Sequence, residues 1–334
     1  MTQKPRTDTI RLQNYARAYT ESATLYAALD LELFTHIAQG VDTVDSLAKA
    51  MDVLPLNAER LVSACTAMGM LVWSDGKLRN APDAERFLVK GENAYAGPWM
   101  NFTRPDVSKW FKLTEHLRSK DAPVTLGMYA DLTVDEARAY HASTYSVGMG
   151  AGKRFSRVVD LSGRKQMLDL GGGSGAYSIQ AVRANPDLKA TVFDLPPVIE
   201  VTKEYLAECG VDDRVSTCAG DFTSDELPSA DIIVMASNLP LYDEGVIQLV
   251  IGRAHDALLP GGEMHLVGEM LLDDHTGPAD AAMWGLGEAL NNSGGKAHTI
   301  SQCTGYFKSA GFTGVTDNVF IEGTLHRVTG TKAS

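Results

Sequence analysis

Glycines and acidic residues at the ends of short apolar runs are the part of this sequence whose spacing could support chemistry. Residues 167–194 have the pattern of a strand, a glycine turn, a helix and a second strand, which together make one β-α-β unit. The turn contains Gly171, Gly173 and Gly175, and the second strand ends on Asp194. Glycine leaves room for a ligand beside the backbone, and the first amide groups of a helix can donate to it. The unit therefore predicts a ligand site across the carboxyl end of a parallel sheet.

The spacing of these residues restricts the ligand. The glycines form G-x-G-x-G, which differs from the G-x-G-x-x-G of dinucleotide sites, and a G-x-x-x-x-G-K-[ST] pattern for a triphosphate does not occur. Asp194 lies about twenty residues beyond the turn, where an acid can accept hydrogen bonds from two ribose hydroxyls. Asp221 and Phe222 end a third predicted strand, and they suit the amino group and the ring face of an adenine. A tight strand-to-helix loop without a ligand is the alternative interpretation of the glycines.

Taken together, these motifs resemble the S-adenosylmethionine-dependent methyltransferases, and among them the small-molecule O-methyltransferase family that includes caffeate, acetylserotonin and polyketide methyltransferases. The resemblance covers nearly the whole chain through LDLGGGSG, VFDLP, GDF, LLPGGE and a late GGK followed by YFKSAGF. It implies S-adenosyl-L-methionine as the cofactor. It also implies the residues that bind this cofactor: Gly171, Gly173, Gly175, Asp194, Asp221, Phe222 and Ser237. The motifs are specific for the family and much less specific for the acceptor.

One position departs from the family pattern. Family members commonly supply a histidine base after the fourth strand, in a motif such as L-H-D-W, whereas Pro240 occupies the place of this histidine here. Glu269 matches the first of two acids that orient the histidine in the family, and Ala297 stands where the second acid is expected. The sequence therefore predicts a reaction without a histidine general base.

An acceptor that needs no deprotonation is the interpretation that this departure favours. A thioether sulfur has no proton to lose, and its methylation yields a sulfonium that aromatic ring faces can stabilise by about 1–2 kcal/mol. The family contains bacterial S-methyltransferases of dimethylsulfoniopropionate synthesis, which act on 4-methylthio-2-hydroxybutyrate, and this chain is similar to them in general appearance. S-methylation of such a thioether to a sulfonium is the leading hypothesis at this point.

Other hypotheses remain open. An O-methyltransferase of a phenolic or polyketide-like hydroxyl could use a histidine elsewhere, with His116, His141 and His298 as candidates, or could bind a phenol that is already ionised. A relative that does not transfer methyl groups, or a winged-helix regulator that binds S-adenosylmethionine, would leave the cofactor unchanged. Formation of S-adenosylhomocysteine separates an enzyme from such a regulator.

The resemblance also implies which side chains face the acceptor. The family pattern places there a set of aromatic, polar and acidic residues: Trp110, Tyr140, Thr144, Tyr242, Glu288 and Asn292. Trp284 lies one helical turn from Glu288, and His298 is a further candidate for contact with the acceptor. Packing in a hydrophobic core is the alternative for each of them. A carboxylate on the acceptor would require a cation, and Arg104, His141 and His298 are the candidates.

The predicted elements bring these residues to one edge of a sheet. Strands are expected at residues 166–170, 190–194, 215–219, 231–236, 263–268, 314–321 and 324–329, with helices between most of them. This alternation predicts an α/β fold, a doubly wound Rossmann-like methyltransferase sheet, whose last two strands form a reversed hairpin at the edge. A turn is expected at residues 260–262, and helices near 106–118 and 133–158 are expected to form the wall and lid of the acceptor site.

The N-terminal segment is predicted to be a mainly helical winged-helix domain. Asp45 and Asn57 are candidate helix caps, and a hairpin is expected around residues 74–76. Winged helices often bind DNA, but Arg60 is the single cation of the second helix, so nucleic acid is not expected as a partner. In the family that the chain resembles, this module serves dimerisation, and a homodimer is expected. The predicted domains are residues 1–98 for dimerisation, 99–160 for linker helices and the substrate lid, and 161–334 for cofactor binding and methyl transfer.

Composition and charge exclude several other classes of protein. With 334 residues, the chain exceeds the usual size of one domain. The net charge is −12, and residues 161–334 carry 23 acidic against 11 basic residues, which is unfavourable for binding nucleic acid. The four cysteines form no C-x-x-C pair, and Asp273, Asp274 and Asp280 are interpreted as a solvated loop, so no metal site is predicted. No apolar run approaches the ~20 residues of a membrane span, so a cytoplasmic protein with a small-molecule acceptor and no membrane partner is expected.

Overall fold

The computed structural model describes residues 8–124, 129 and 131–334, and the chain divides into two compact units, Met1–Arg104 and Pro105–Ser334. The first unit is mainly helical, and the second contains a seven-stranded sheet with helices on both faces. Each unit has a hydrophobic core of its own, because the apolar faces of its helices and strands pack against one another.

Helices and one hairpin make up the first unit. Its helices are α1 (Ile10–Arg17), α2 (Tyr19–Asp30), α3 (Leu33–Ala38), α4 (Val44–Ala50), α5 (Pro55–Ala67), α6 (Pro82–Leu88) and α7 (Gly97–Met100). Strands β1 (Leu71–Ser74) and β2 (Lys77–Asn80) pair antiparallel between α5 and α6, so the predicted hairpin is confirmed. Leu33, Phe34 and Leu47 are buried in its core. The order of helix, helix and hairpin is that of the predicted winged helix.

Both predicted helix caps in this unit are wrong. Thr43, not Asp45, caps α4, since its backbone is extended and its hydroxyl accepts a hydrogen bond from the amide three residues later at 3.3 Å. Helix α5 begins at Pro55, and Asn57 lies inside its first turn. Proline has the φ angle that the first helical residue needs and lacks the amide proton that would be unpaired there, so it starts α5 ahead of the asparagine.

The second unit is built on one mixed sheet. Its strands are β3 (Gln166–Leu170), β4 (Lys189–Asp194), β5 (Val215–Ala219), β6 (Ala230–Ala236), β7 (Leu258–Gly268), β8 (Met270–Leu271), β9 (His298–Thr299), β10 (Thr313–Ile321) and β11 (Leu325–Thr331). All except β8 and β9 form the sheet, in the order β10-β11-β7-β6-β3-β4-β5, in which β11 pairs antiparallel with both β10 and β7 and the other neighbouring pairs are parallel. The predicted doubly wound α/β sheet with a reversed edge hairpin is thereby confirmed.

One predicted turn of this sheet is wrong. Strand β7 begins at Leu258, which pairs with Ala230, and Glu263 further along pairs with Ile232. Residues 260–262 therefore form a bulge inside the strand, because the five steps from Leu258 to Glu263 in β7 lie opposite only two steps in β6. Gly261 takes a φ of +76° in this bulge, which glycine adopts without strain.

Helices cover both faces of the sheet. They are α8 (Val107–Trp110), α9 (Leu113–Arg118), α10 (Val134–Val158), α11 (Ala176–Ala184), α12 (Pro196–Cys209), α13 (Glu244–Ala257), α14 (Ala279–Gly287) and α15 (Ile300–Ser309). Helices α10, α11 and α12 share one core with the sheet, and α13 and α15 share the other. The segment predicted as one helix near residues 106–118 is divided into α8 and α9. None of the described helices combines the length and the apolar character that a membrane span requires.

Candidate functional site

The glycine turn after β3 has a backbone conformation that only glycine adopts readily. Gly171, Gly173 and Gly175 have φ angles of +66°, +57° and +74°. A Cβ atom on Gly173 would lie 2.5 Å from the ring of His141, and a Cβ atom on Gly171 would lie 2.7 Å from the side-chain amide of Asn238. Any larger residue at these positions would therefore be strained and would also collide with its neighbours.

Asp194 ends β4 and lies directly beside this turn. Its two carboxylate oxygens accept hydrogen bonds from the amides of Gly173 and Leu195, each at 2.8 Å. Burial raises the pKa of this carboxyl group to about 6. Each carboxylate oxygen can accept more than one hydrogen bond, so Asp194 keeps acceptor capacity beyond these two amides.

The side chains of Asp169 and Asn238 connect the glycine turn to adjacent elements by hydrogen bonds. Asp169 is 1% exposed and accepts hydrogen bonds from the amide and the hydroxyl of Ser178, at 3.1 and 2.8 Å, in the first turn of α11. Asn238 follows β6 and donates its side-chain amide to the carbonyls of Gly171, at 3.2 Å, and Ala236, at 3.0 Å. These bonds join the ends of β3 and β6, which are adjacent in the sheet.

The other predicted cofactor residues follow the ends of β5 and β6. Phe222 is buried, and Asp221 accepts hydrogen bonds from the amide and the hydroxyl of Thr223 at 2.8 and 2.7 Å, so it also shapes the turn after β5. Ser237 is exposed and has a φ of +59°, a conformation that costs a residue other than glycine roughly 1–3 kcal/mol. Because β3, β4, β5 and β6 are parallel, their carboxyl ends bring the predicted cofactor residues to one edge of the sheet.

Three tyrosines lie near this edge. The rings of Tyr129 and Tyr140 meet edge to face at 6.1 Å, and their hydroxyls are hydrogen-bonded to each other. The ring of Tyr242 meets that of Phe222 at 5.6 Å. Burial raises the pKa of all three tyrosines, and the negative charge of Asp194 raises it further. The three hydroxyls therefore lie in the electrostatic neighbourhood of Asp194.

Two further acids belong to the same neighbourhood. Burial raises the pKa of Glu269, which follows β7, to about 7, and the nearby charge of Asp280 adds to this shift. Burial also raises the pKa of Glu288. Both acids raise the pKa of Tyr140, after burial and alongside Asp194. Neither glutamate forms an ion pair within the part of the chain that the structure describes, so the charges around these tyrosines are carboxylates.

His298 is a structural residue beneath Tyr242. It is fully buried, and its Nε2 donates a hydrogen bond to the carbonyl of Tyr242 at 2.9 Å. A carbonyl can only accept, so the proton is on Nε2, and Nδ1 accepts from the hydroxyl of Tyr306 at 3.0 Å. Burial lowers the pKa of this histidine. Both ring nitrogens are therefore engaged, and His298 has no lone pair left to take a proton from an acceptor.

The other candidate bases and cations differ in their surroundings. Burial lowers the pKa of His141 to about 4, so its ring is neutral near pH 7, and it packs edge to face on Tyr140 at 5.1 Å. His116 lines a surface groove that also contains lysines. Arg104 belongs to the first unit, where its two terminal nitrogens donate to the two carboxylate oxygens of Asp30 at 2.8 and 2.7 Å. None of the three candidates for binding an acceptor carboxylate is an unpaired cation.

The predicted acceptor residues outside the tyrosine group have defined contacts. The ring of Trp110 lies beside Gly287 at the end of α14, since a Cβ atom on Gly287 would be 3.6 Å from this ring. Trp284 donates a hydrogen bond to Asp280. The hydroxyl of Thr144 donates to a backbone carbonyl of α10 at 3.3 Å. The side-chain amide of Asn292 donates to the carbonyl of Ala122 at 2.9 Å. The side chains of Thr144 and Asn292 thus each donate a hydrogen bond to a backbone carbonyl.

Two family models match this chain. Residues 129–313 match the O-methyltransferase domain, which is more than half of the chain, and residues 13–90 match the O-methyltransferase dimerisation domain. The chain belongs to the O-methyltransferase family. As a member, it is an enzyme, a methyltransferase that depends on S-adenosyl-L-methionine.

Individual members of the O-methyltransferase family match along most of their length. The 3-hydroxy-5-methyl-1-naphthoate 3-O-methyltransferase of Streptomyces sahachiroi is 32% identical over 90% of this chain and 88% of its own. The tetracenomycin polyketide synthesis 8-O-methyl transferase TcmO of Streptomyces glaucescens is 30% identical over 89% of each chain. The crystal structure of human N-acetylserotonin methyltransferase in complex with SAM superimposes with a TM-score of 0.83 over 100% of both chains at 22% identity, a likeness of fold.

Three residues near this edge of the sheet have contacts or burial that the sequence does not signal. Tyr129 is one aromatic residue among many between residues 95 and 160, and only its bond to Tyr140 distinguishes it. Asn238 acts on a turn that is 67 residues away in the chain. Tyr177 is buried and its hydroxyl has no hydrogen-bond partner among the described residues. Each role depends on contacts between distant segments, which no local spacing reveals.

Proposed function

We propose that this enzyme transfers the methyl group of S-adenosyl-L-methionine to a phenolic hydroxyl of an aromatic, polyketide-like acceptor. The observation that carries the proposal is the group of Tyr129, Tyr140 and Tyr242 beside Asp194, since flat aromatic side chains suit a flat aromatic acceptor. The two relatives at 30% identity or more support it, because their names describe methylation of a naphthoate hydroxyl and of a polyketide oxygen. The proposal adopts the O-methyltransferase hypothesis of the sequence in place of the thioether hypothesis, for which neither name offers support.

The predicted cofactor residues fit S-adenosyl-L-methionine. Asp194 has acceptor capacity left for ribose hydroxyls, Phe222 supplies a buried ring for an adenine, and the left-handed glycine turn keeps Cβ atoms away from the backbone. We assign to cofactor binding Gly171, Gly173, Gly175, Asp194, Asp221, Phe222 and Ser237. When bound, the cofactor supplies a methyl group on a positively charged sulfur, which the carboxylates of the site favour electrostatically.

The acceptor side divides into residues that line the pocket and residues that shape it. We assign the lining to Trp110, Tyr140, Tyr242, Trp284 and Glu288. Thr144, Asn292 and His298 donate hydrogen bonds to backbone carbonyls, and we assign them to the support of this lining. His298 in particular fixes the backbone of Tyr242, because its neutral ring bridges that carbonyl and the Tyr306 hydroxyl.

Formation of S-adenosylhomocysteine by the purified protein tests this function. The acceptors are a naphthol, a simple phenol, 4-methylthio-2-hydroxybutyrate, a free thiol and no acceptor, each assayed from pH 6 to 10. We expect turnover of the aromatic hydroxyls and none of the thioether. Turnover of the thioether alone would contradict the proposal.

S-methylation of a thioether is the second candidate, and one observation favours it. Pro240 is buried in the turn Leu239–Leu241, at the position where the family pattern has a histidine base. His298 is fully engaged, and the low pKa of His141 makes it a weak base, so neither restores the missing group. A thioether would need no base, and its rate would show no ionisation of the acceptor in the same pH series.

A further inference from the structure

Glu269 matches an acid that orients the histidine base in the family pattern, but this chain has Pro240 in place of that histidine, and neither cofactor binding nor the lining of the acceptor pocket uses Glu269. It follows β7, which is parallel to β6, so it lies at the same edge as Ser237. A Cβ atom on Gly268 would lie 3.1 Å from the Cβ of Leu239, so the end of β7 packs against the turn that contains Pro240. Glu269 is the residue after Gly268, so it follows a strand end that packs on the turn containing Pro240.

Among the residues that the structure describes, no cation forms an ion pair with Glu269. The titratable groups within electrostatic range of Glu269 are Tyr140 from α10, Tyr177 from α11 and Asp280 from α14, and Asp280, the charged one of these, is negative. Its own backbone amide donates to the carboxyl group. A half-buried carboxylate beside a second negative charge binds a proton more readily than one in water.

Tyr140 links Glu269 to the acceptor pocket. The negative charge of Glu269 acts on the hydroxyl of Tyr140, which is also hydrogen-bonded to Tyr129 and lies within electrostatic range of Asp194 and Glu288. The charge of Glu269 thus acts on the same tyrosine group in which the proposed function places the aromatic acceptor.

We propose that Glu269 is the general base that takes the proton from the acceptor hydroxyl, in the position left by Pro240. This inference rests on the proposed function, since a thioether has no proton to remove. The O–H bond of the acceptor breaks and its proton goes to a carboxylate oxygen of Glu269. The electron pair left on the acceptor oxygen forms the new O–CH₃ bond, while the S–CH₃ bond of the methyl donor breaks and its electron pair stays on sulfur. The proton then passes from Glu269 to water.

The acid strength of Glu269 is consistent with this role. Burial raises its pKa to about 7, and a general base is most effective when its pKa lies near the working pH. The carboxylate form is the active one, so the rate with a phenol should fall as the pH drops below about 7. Removal of the neighbouring negative charge should lower the pKa of Glu269 and move this acidic limb to lower pH.

The first experiment compares Glu269→Gln with the wild type on two acceptors at pH 8. With a phenol that is largely protonated at this pH, we expect kcat to fall at least 100-fold, within the range that general bases contribute. With a nitrophenol that is already ionised, we expect the variant to work within about threefold of the wild type, because its proton is already gone. Asp317→Asn, at an exposed position of β10, is the matched control and should behave as the wild type with both acceptors.

A second variant and a measurement without turnover test the same carboxyl group. Asp280→Asn should shift the acidic limb of the pH profile to lower pH, which a purely structural role would not produce. The folded-state pKa of Glu269 lies above its ordinary value of 4.5. Ionisation of this group therefore lowers the free energy of unfolding as the pH rises through about 7. The free Glu269→Gln protein should therefore have a higher Tm than the wild type at pH 8, with no difference near pH 4.

Each outcome decides the inference. Three results together would support it. The Glu269→Gln variant would lose activity with the protonated phenol and keep it with the ionised phenol. The acidic limb of the pH profile would shift in Asp280→Asn. Equal rates of wild type and Glu269→Gln on the protonated phenol would overturn it and leave the proposed function standing. A wild type that methylates the thioether and no phenol would overturn the proposed function, and the inference with it.

Discussion

Asp194 has the properties of a residue that holds a diol. It ends a strand beside the glycine turn, two backbone amides fix its orientation, and its oxygens retain acceptor capacity. We predict that Asp194→Asn weakens binding of S-adenosyl-L-methionine about 10- to 100-fold, because a hydrogen bond to a charged group is worth about 1.5–3 kcal/mol. Calorimetric titration of wild type and variant measures the change, with Asp317→Asn as control. Equal affinities would show that the ribose is bound by other groups.

The pKa of the same carboxyl group predicts a pH dependence of cofactor binding. Burial raises the pKa of Asp194 to about 6, and the carboxylate form accepts hydrogen bonds better than the protonated form. Affinity should be constant at pH 7 to 9 and should decrease as the pH falls below about 6, and Asp194→Asn should abolish this decrease. The stability of the free protein should follow the opposite trend, because a carboxyl group with a raised folded-state pKa loses stability as the pH rises. Titration at a series of pH values checks the first trend and thermal unfolding checks the second.

At the scale of elements, the turn between β3 and α11 can be compared with the end of α12. Gly173 and Gly210 both have left-handed backbones, with φ of +57° and +61°, but a Cβ atom would meet His141 only at Gly173 and would meet nothing within 4 Å at Gly210. We predict that Gly210→Ala costs about 1–2 kcal/mol from backbone strain alone. Gly173→Ala should cost about 1–3 kcal/mol more, because the overpacked turn must shift.

Chemical denaturation of the two variants measures these costs. Gly173→Ala should also weaken cofactor binding, whereas Gly210→Ala should not. Similar stabilities would mean that the ring of His141 moves aside without cost, and the turn would then be less rigid than its contacts indicate.

Some secondary-structure elements could be predicted from the sequence, and others could not. The strands of the sheet were predictable, because buried parallel strands are short apolar runs that end at polar or glycine residues. The caps of α4 and α5 were not, because Thr43 and Asp45 are both suitable caps and backbone geometry chooses between them. The bulge at residues 260–262 was also hidden, because Pro-Gly-Gly is equally typical of a turn.

At the scale of the whole molecule, α1 predicts a homodimer. The helix has no buried residue, and its large apolar side chains Ile10, Leu12 and Tyr15 are 53%, 57% and 69% exposed within the described residues. The match to a dimerisation domain supports a second copy of the chain as the partner that covers them.

Two substitutions on this helix test the prediction. Leu12→Glu combined with Tyr15→Glu should convert the dimer to a monomer in light scattering coupled to size exclusion, because buried carboxylates without partners oppose association. Asp317→Asn, at an exposed position of β10, should leave the dimer intact. A wild type that elutes as a monomer at micromolar concentration would contradict the homodimer.

The sequence by itself determined the α/β sheet, the glycine turn and the family of this enzyme, because these depend on local patterns: apolar periodicity, the left-handed turn that needs glycine, and an acid at a fixed distance from it. Only the tertiary structure decided the roles of the histidines and acids. Both ring nitrogens of His298 are bonded to Tyr242 and Tyr306, and Glu269 follows a strand end that packs on the Pro240 turn, where burial raises its pKa. Such roles depend on which distant side chains share a buried volume and on how far that volume excludes water, and neither is written in the spacing of residues along the chain.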